Sequence, residues 1–246
     1  MSNSATLTDS GRSGQPDASF VLQALSATPL LRNLTDSVLN RLAAISKIVN
    51  APEDTEICRQ GDPADELFIV LEGQLAGFST AANGTTAVVE VIRTGETLGL
   101  ATLLARLPRL LGVRTVTPSS LISIDAHGLL ALVAQEPSLV TALLRAEANE
   151  FHALVRQVCD LKLRTTAQRL GCYLLSLATE RHGNATALRL PFDKRLLAAR
   201  LGCRQENLSR AFASLRGFGV ETHGARVILH DIASLKAYSE PDEGYA

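Results

Sequence analysis

The sequence predicts an α+β protein with an N-terminal antiparallel β-barrel, a long helix and a C-terminal winged helix-turn-helix. Period-two alternation with regular glycine turns marks the first half of the chain, and an apolar stripe at helical spacing begins near Pro137. Two short amphipathic segments joined at Gly202 precede a predicted hairpin. The 246 residues are enough for more than one domain.

Composition and charge narrow the class of protein. With 46% hydrophobic residues and a net charge of -1, the chain resembles a globular protein rather than one that coats nucleic acid non-specifically. No apolar run approaches the roughly 18 residues of a membrane span, and the polar start lacks the basic-then-apolar order of a signal peptide. We therefore expect a cytoplasmic protein without a membrane partner.

The four cysteines are Cys58, Cys159, Cys172 and Cys203, and no two of them form a CxxC pair. Zinc fingers and iron–sulfur binding runs need closely spaced cysteines. The pattern therefore predicts no metal site of either kind and four buried free thiols.

Two helices and a set of short strands are predicted in the first half. Apolar residues recur at helical spacing from Ser19 to Val49, Ile45 included, and residues 33–36 supply cap and turn residues between the helices. Strand-like runs follow at 55–58, 66–71, 74–78, 86–92, 113–117 and 121–124. Short strands with glycine turns between most of them predict a small antiparallel barrel or jelly roll.

A long amphipathic helix is predicted from Pro137. Its main apolar stripe has spacings of three, four or seven residues, with Glu147 at the missing position, and consists of Val140, Leu144, Phe151, Leu154, Val158 and Leu161. This stripe could pack on the chain's own β domain. A second apolar row, Leu139, Leu143 and Ala146, can serve that purpose, so we expect the main stripe to bind a twin subunit in a homodimer.

The C-terminal part predicts a winged helix-turn-helix. Residues 163–166 carry capping residues, Ala167–Ala178 is predicted as a helix, and residues 181–184 form its exit. Lys194–Leu201 and Gln205–Arg216 then form two helices around the turn Gly202–Cys203. Gly217 can end the second helix, and residues 220–229 predict a hairpin that turns at His223–Gly224.

The exposed side of the second helix carries side chains that read bases. Leu208, Phe212 and Leu215 share one face, which leaves Gln205, Glu206, Ser209 and Arg210 on the other. Arginine donates two hydrogen bonds to guanine, glutamate accepts one from cytosine, and serine or glutamine serves several bases. These residues predict binding to double-stranded DNA, although Glu206 also fits a charge that complements the helix dipole.

Basic residues surround this helix, namely Lys194, Arg195, Arg200, Arg204 and Arg216. They make the segment locally positive within a near-neutral chain, as contacts to DNA phosphates require. Each of them also fits a solvated surface position.

The order of barrel, long helix and winged helix-turn-helix resembles the Crp/Fnr family of bacterial transcription regulators from about Phe20 onward. Ile57–Asp62 followed by Leu67–Gly73 looks like the family's strand-turn-strand signature, and Gly202–Arg210 looks like its recognition element. The resemblance implies a jelly roll of the cyclic-nucleotide-binding type and RNA polymerase as a partner. We expect a disordered tail (1–18), an effector-sensing domain (19–135), a dimerisation helix (136–163) and a DNA-binding domain (164–246).

The recognition element is similar to the Fnr-like branch. That similarity implies a palindromic site with TTGA-type half-sites, in which Glu206, Ser209 and Arg210 read the bases. Gln205 stands where the cAMP-responsive branch has arginine, which weakens the expectation of a TGTGA-type half-site.

The effector pocket departs from the cyclic-nucleotide binders of the family, which use Gly-Glu-Leu and then Arg-Ser. Here the stretch is Gly99-Leu100-Ala101, and the candidate Arg109 is followed by leucine. Arg114-Thr115 is an alternative that needs a shifted alignment. In the cAMP-responsive branch the dimerisation helix contacts adenine through a pair of polar residues. Leu154 and Val155 stand in their place here. Because burying a phosphate without these partners is costly, we expect no response to cAMP.

The sequence also bears on iron–sulfur clusters, on haem and on other classes of function. No cysteine precedes Cys58, which argues against an Fnr-type iron–sulfur cluster. A haem group could take His127, His152 or Cys58 as an axial ligand. The alternative is that all three residues have only a structural role. An enzyme is disfavoured because GxxxxGK[ST], GxSxG and HExxH motifs are absent. The remaining alternatives are a cyclic-nucleotide-responsive regulator and an effector-binding module that does not bind DNA.

Overall fold

The computed structural model describes residues 18–84, 86–178, 185–190 and 194–240. The chain divides into two compact units between His152 and Ala153. The tail predicted for residues 1–18 lies outside the described residues except for Ala18, which begins the first helix. The predicted exit turn at 181–184 also lies outside them.

The first unit starts with helices and continues as antiparallel strands. Its helices are α1 (Ala18–Ala27), α2 (Asp36–Ala44), α3 (Leu100–Ala105), α4 (Ala126–Val133) and the first part of α5 (Pro137–Leu163). Its strands are β1 (Ser46–Ala51), β2 (Glu56–Cys58), β3 (Glu66–Glu72), β4 (Gln74–Thr80), β5 (Thr86–Arg93), β6 (Thr97–Leu98), β7 (Gly112–Thr115) and β8 (Ser119–Asp125).

The strands form two four-stranded antiparallel sheets, ordered β1-β8-β3-β6 and β2-β7-β4-β5. Phe68 and Leu121 from the first sheet pack with Leu75 and Val113 from the second in one buried cluster. This arrangement confirms the predicted jelly roll. Of the two predicted alternatives, barrel or jelly roll, the structure has the jelly roll, because the strands pair within two separate sheets.

The prediction of a helix that extends through Ile45 to Val49 was wrong. Helix α2 stops at Ala44, and β1 pairs Val49 with Leu121 of β8. Residues four apart share a face in a strand as well as in a helix, so the spacing alone does not distinguish the two. The β-branched residues Ile45, Ile48 and Val49 favour the strand.

Helix α5 carries two apolar rows with different surroundings. Leu139 and Leu143 are fully buried in a cluster with residues of α1, α2 and α4, and Ala146 packs against that cluster. The main stripe is exposed along most of its length, and Phe151 has 66% of its surface accessible. The second row therefore packs on the β domain, as the sequence predicts.

Among the described residues, no single helix has the length and apolar composition of a membrane span. Only α4 and α5 taken together pass such a test, and they bend by 113° where they meet.

The second unit contains the rest of α5 and a winged helix fold. Its elements are α6 (Thr166–Ala178), β9 (Thr186–Arg189), α7 (Lys194–Arg200), α8 (Gln205–Leu215), a short 3-10 helix (Arg216–Phe218), β10 (Val220–His223), β11 (Arg226–Leu229) and α9 (Ile232–Ser239). The strands form an antiparallel wing sheet in the order β10-β11-β9. Strand β9 and helix α9 have no counterpart in the elements that the sequence predicts.

Two helix boundaries in this unit have clear causes. The backbone N–H of Thr165 donates to Gln168 Oε1 at 3.0 Å, and the backbone N–H of Gln168 approaches Thr165 Oγ1 at 3.3 Å, which is the reciprocal capping box that begins α6. Gly217 does not end the recognition helix as predicted. The chain tightens into the 3-10 helix after Leu215, and Gly219, with φ of +77°, ends that turn.

The expectation of four buried thiols was wrong. All four cysteines are free, but only Cys172 is buried, Cys58 and Cys203 are half-buried, and Cys159 is exposed. Cys159 lies on α5, where an amphipathic helix has an outward face.

Candidate nucleic-acid interface and effector pocket

The turn between α7 and α8 depends on a close approach of the backbone to another helix. A Cβ atom added to Gly202 would lie 2.5 Å from Leu161 Cδ2, and φ at Gly202 is +61°. The backbone N–H of Cys203 donates to the oxygen of Ala198 at 2.9 Å and closes the turn. Only glycine fits this position without a shift of neighbouring atoms.

Helix α8 separates into a buried face and an exposed face. Its buried side chains are Leu208, Ala211, Phe212 and Leu215, and the helix contacts α6. Its exposed residues include Gln205, Glu206, Ser209 and Arg210, the four predicted base readers. The apolar face fixes the rotation of the helix, which keeps these polar side chains in solvent.

The side chains on the exposed face of α8 make few hydrogen bonds or salt bridges within the described part of the protein. Ser209 Oγ donates to the main-chain oxygen of Gln205 at 3.1 Å, and Arg204, at the N-cap, makes no side-chain capping bond. In the described part of the chain, no salt bridge joins Arg204, Arg210 or the exposed Lys194 to a carboxylate. These cations therefore remain available to an anionic ligand.

Arg200 has a different environment from the other predicted phosphate contacts. Its guanidinium carbon lies 5.7 Å from the centre of the Tyr173 ring, a cation–π distance. Arg195 is exposed at the start of α7, and Arg216 is exposed in the 3-10 helix.

One residue that holds this site together is missing from the sequence-based prediction. Arg169 of α6 donates through Nε to the main-chain oxygen of Leu201 at 3.0 Å and through Nη1 to that of Arg164 at 2.9 Å. It thus links the helix-turn-helix turn to the end of α5. Its position on an amphipathic helix resembles that of any surface cation, so the sequence carries no signal for this role.

The predicted effector pocket centres on a buried arginine. Arg109 is only 6% exposed, and its Nη2 donates to the main-chain oxygen of Glu66 at 2.7 Å. Its guanidinium carbon lies 5.5 Å from the centre of the Phe68 ring. Nη1 is buried without a hydrogen-bond partner, and a Cβ atom on Gly99 would come within 2.6 Å of it.

The other residues predicted for the effector pocket have different surroundings. Leu100 follows Gly99 at the start of α3 and is buried in the apolar cluster. The alternative Arg114 is engaged at the surface, where its Nη1 lies 2.9 Å from Asp54 Oδ1. The structure thus brings Gly99, Leu100 and Arg109 together, whereas Leu154 and Val155 are exposed on the part of α5 that belongs to the second unit.

The three candidate haem ligands lie on three different elements of the first unit. His127 on α4 and His152 on α5 are exposed, and Cys58 lies on β2. Burial raises the pKa of the Cys58 thiol, although the nearby Arg109 charge opposes this rise, and a protonated thiol is a poor ligand. Among the described residues, no group of three or more His, Cys, Asp or Glu side chains could hold a metal ion.

Comparisons with known proteins match both units. The cyclic nucleotide-binding domain profile matches residues 48–136, and the Crp-like helix-turn-helix domain profile matches residues 168–238. The chain is 23% identical over 214 residues to the CRP-like cAMP-activated global transcriptional regulator of Mycobacterium tuberculosis, covering 85% of this chain and 95% of that protein.

Solved structures give the same result. A candidate cyclic nucleotide binding protein from Ruegeria pomeroyi is 30% identical, with a TM-score of 0.62 and coverage of 90% of this chain and 98% of that one. FixK2 from Bradyrhizobium japonicum shares the fold with a TM-score of 0.66 at 19% identity, covering 78% and 96% of the two chains. Both domains are those of a transcription regulator and not of an enzyme. The chain therefore belongs to the Crp/Fnr family of bacterial transcription regulators.

Proposed function

We propose that the protein binds a two-fold symmetric DNA site with TTGA-type half-sites and reads it through Glu206, Ser209 and Arg210 of α8. The observation that carries this proposal is the exposed polar row on a helix whose opposite face is buried. Arginine suits the guanine of the half-site, and glutamate suits a cytosine amino group. Gln205, Arg204 and Lys194 add contacts to bases and phosphates at the same edge.

The proposal includes a homodimer that acts in the cytoplasm together with RNA polymerase. The exposed stripe of α5 supports the dimer, because large apolar side chains at heptad-like spacing are typical of a helix that packs against a second helix. Two copies related by two-fold symmetry would present two recognition helices to a palindrome.

A binding assay tests the proposed readout. The purified protein is expected to shift a duplex that carries the TTGA palindrome, and Arg210→Ala is expected to weaken this binding by about 1–3 kcal/mol. Arg32→Ala removes an exposed arginine from the first unit and serves as the matched control. Failure of the wild-type protein to prefer the palindrome over random duplex would contradict the proposal.

We also propose that the effector is an anion other than cAMP. The buried and partly unpartnered Arg109 guanidinium favours a negatively charged ligand, because an unpaired buried charge is costly. The apolar Leu100 removes the carboxylate that would accept bonds from a ribose. A gas or redox signal is a second route to control, and haem is one cofactor through which a gas could act.

A cyclic-nucleotide-responsive regulator remains the second candidate, favoured by Arg109 itself and by the name of the mycobacterial relative. Thermal unfolding with saturating cAMP distinguishes the two. We expect an unchanged Tm, whereas a clear increase would assign cAMP to the pocket. The absence of a Soret band from protein produced with a haem supply would exclude haem.

A further inference from the structure

A row of residues crosses the sheet β2-β7-β4-β5 and ends at a carboxyl group. Glu90 of β5 lies opposite Gly77 of β4, Gly77 lies opposite Val113 of β7, and Val113 lies opposite Cys58 of β2. Residues directly opposite one another in a sheet point to the same face. Val113 is fully buried in the cluster between the two sheets. Glu90 therefore faces the interior of the jelly roll.

Arg109 faces the same interior at the other end of this row. Its guanidinium lies against the ring of Phe68, which belongs to the same buried cluster as Val113. Burial raises the pKa of the Cys58 thiol, and the adjacent positive charge of Arg109 opposes the rise. The backbones of β2 and β5 are three strand spacings apart, about 14 Å. A cation and a carboxyl group thus lie at opposite ends of one interior surface.

The side chain of Glu90 leans across β4 toward the end of the row that Arg109 occupies. A Cβ atom on Gly77 would lie 2.8 Å from Glu90 Cγ and 3.0 Å from Leu111 Cδ1. The missing side chain of the glycine therefore leaves the space that the stem of Glu90 uses. Leu111 and Val113 supply apolar surface between the two charged groups. The row offers a carboxyl group, an apolar middle and a guanidinium.

Three further acids lie near Glu90, namely Glu147 and Glu150 of α5 and Glu96 in the turn after β5. In the part of the chain that the structure describes, none of the four forms a salt bridge with a basic side chain. Glu147 Oε1 is buried without a hydrogen-bond partner. Arg93 is three residues from Glu90 and thus on the opposite face of β5. A cation from outside the chain would relieve the repulsion among these acids.

We propose that Glu90 and Glu150 bind a cationic group of the effector, an amine or a guanidine, while Arg109 binds its anionic group. This inference rests on the proposed anionic effector and adds a second charged end to it. An effector of this kind would pair both buried charges at once, whereas each is costly alone. A phosphate ester with one amine still has a net charge of about -1 at neutral pH. A metal ion fits less well, because the described acids form no group that could hold one.

Two series of small molecules test the proposed pair of charged ends. Isothermal titration calorimetry at pH 7.5 measures the binding of the whole chain to ω-aminoalkyl phosphates and to ω-amino carboxylic acids with three to eight carbons. Each compound has two analogues of equal length, one without the amine and one without the anionic group. We expect at least one amino compound to bind about tenfold more tightly than either analogue, because each analogue leaves one buried charge unpaired.

Variants at the two ends of the row separate their contributions. Glu90→Gln should weaken binding of the tightest amino compound about tenfold and leave the affinity for its amine-free analogue at least as high as in wild type. Arg109→Lys keeps a buried cation but loses the guanidinium fork, so it should weaken binding of both compounds. Glu53→Gln changes an exposed carboxylate of the same unit and is the matched control, which should bind both as wild type does.

The outcomes separate this inference from the proposed anionic effector. If the amine-free analogues bind as tightly as the amino compounds and Glu90→Gln changes neither affinity, the anionic effector stands and the cation site is wrong. If the compounds without an anionic group bind as tightly as the amino compounds and only Glu90→Gln weakens them, the cation site is supported and the anionic effector is wrong. If no compound of either series binds to protein that is folded by circular dichroism, the inference is wrong.

Discussion

Glu90, Glu147 and Glu150 lie near one another in the first unit and have raised pKa values. Burial is the largest cause for each, followed by repulsion from Glu150 for Glu90 and Glu147, and from Glu96 for Glu150. A carboxyl whose folded-state pKa exceeds its unfolded value destabilises the fold when ionised. This destabilisation is present at neutral pH and disappears as the pH falls through the folded-state pKa.

Glu90→Gln tests this electrostatic cost. The variant should raise Tm at pH 7.5 by roughly 2 °C, since it removes both the burial of a charge and its repulsion of Glu150. The gain should shrink as the pH falls and vanish near pH 4, where the wild-type carboxyls are protonated. Differential scanning calorimetry measures both values. Glu53→Gln, which changes an exposed carboxylate, should show little gain, and a gain independent of pH would contradict the explanation.

Single residues differ in how far the sequence reveals them. The four predicted base readers of α8 could be found because their exposure follows from helical spacing alone, and the structure places all four in solvent. The position of Glu90 opposite Gly77 depends on strand register, and the contact of Arg109 with Phe68 depends on the tertiary fold. Neither relation is encoded in local spacing.

Among the secondary-structure elements, strands with clear alternation were predicted well, whereas strands β6 and β9 were missed. Runs at residues 66–71, 74–78 and 86–92 correspond to β3, β4 and β5. The two-residue strand β6 and the four-residue strand β9 were missed, although β2, β7, β10 and β11, with three or four residues each, correspond to predicted runs. The formation of the two missed strands depends on pairing with distant strands, β3 for β6 and β11 for β9.

Arg169→Met tests the connection between elements in the second unit. Loss of the hydrogen bonds to Leu201 and Arg164 should destabilise this unit by about 1.5–3 kcal/mol, because both are donated by a charged group. Chemical denaturation followed by circular dichroism measures the change. Lys236→Met removes an exposed cation from α9 in the same unit and should leave the stability within about 0.5 kcal/mol of wild type. Equal losses in both variants would show that Arg169 has no special role.

At the scale of the whole molecule, the order of the domains was the most predictable feature. Changes in hydrophobic period mark the β domain, the long helix and the winged helix, and the two family matches follow the same order. The sequence did not decide between a barrel and a two-sheet jelly roll, because both have the same alternation along each strand.

Phe151→Glu tests the proposed dimer. A charge in the middle of the exposed stripe should convert the dimer to a monomer, because it would have to be buried against the twin helix. Sedimentation velocity should show the smaller species, and affinity for the palindrome should fall by at least about tenfold. Phe20→Glu alters an exposed phenylalanine outside α5 and should remain dimeric. A dimer in both variants would place the interface elsewhere.

Arg210 is proposed to read the guanine of the half-site, and a cycle of protein and DNA changes measures this contact directly. Equilibrium affinities are needed for wild type and Arg210→Ala on the TTGA palindrome and on one with both guanines replaced. Wild type should lose about 1–3 kcal/mol per half-site on the altered DNA, whereas Arg210→Ala should bind both duplexes equally. Additive losses, with the variant still preferring guanine, would contradict this readout by Arg210.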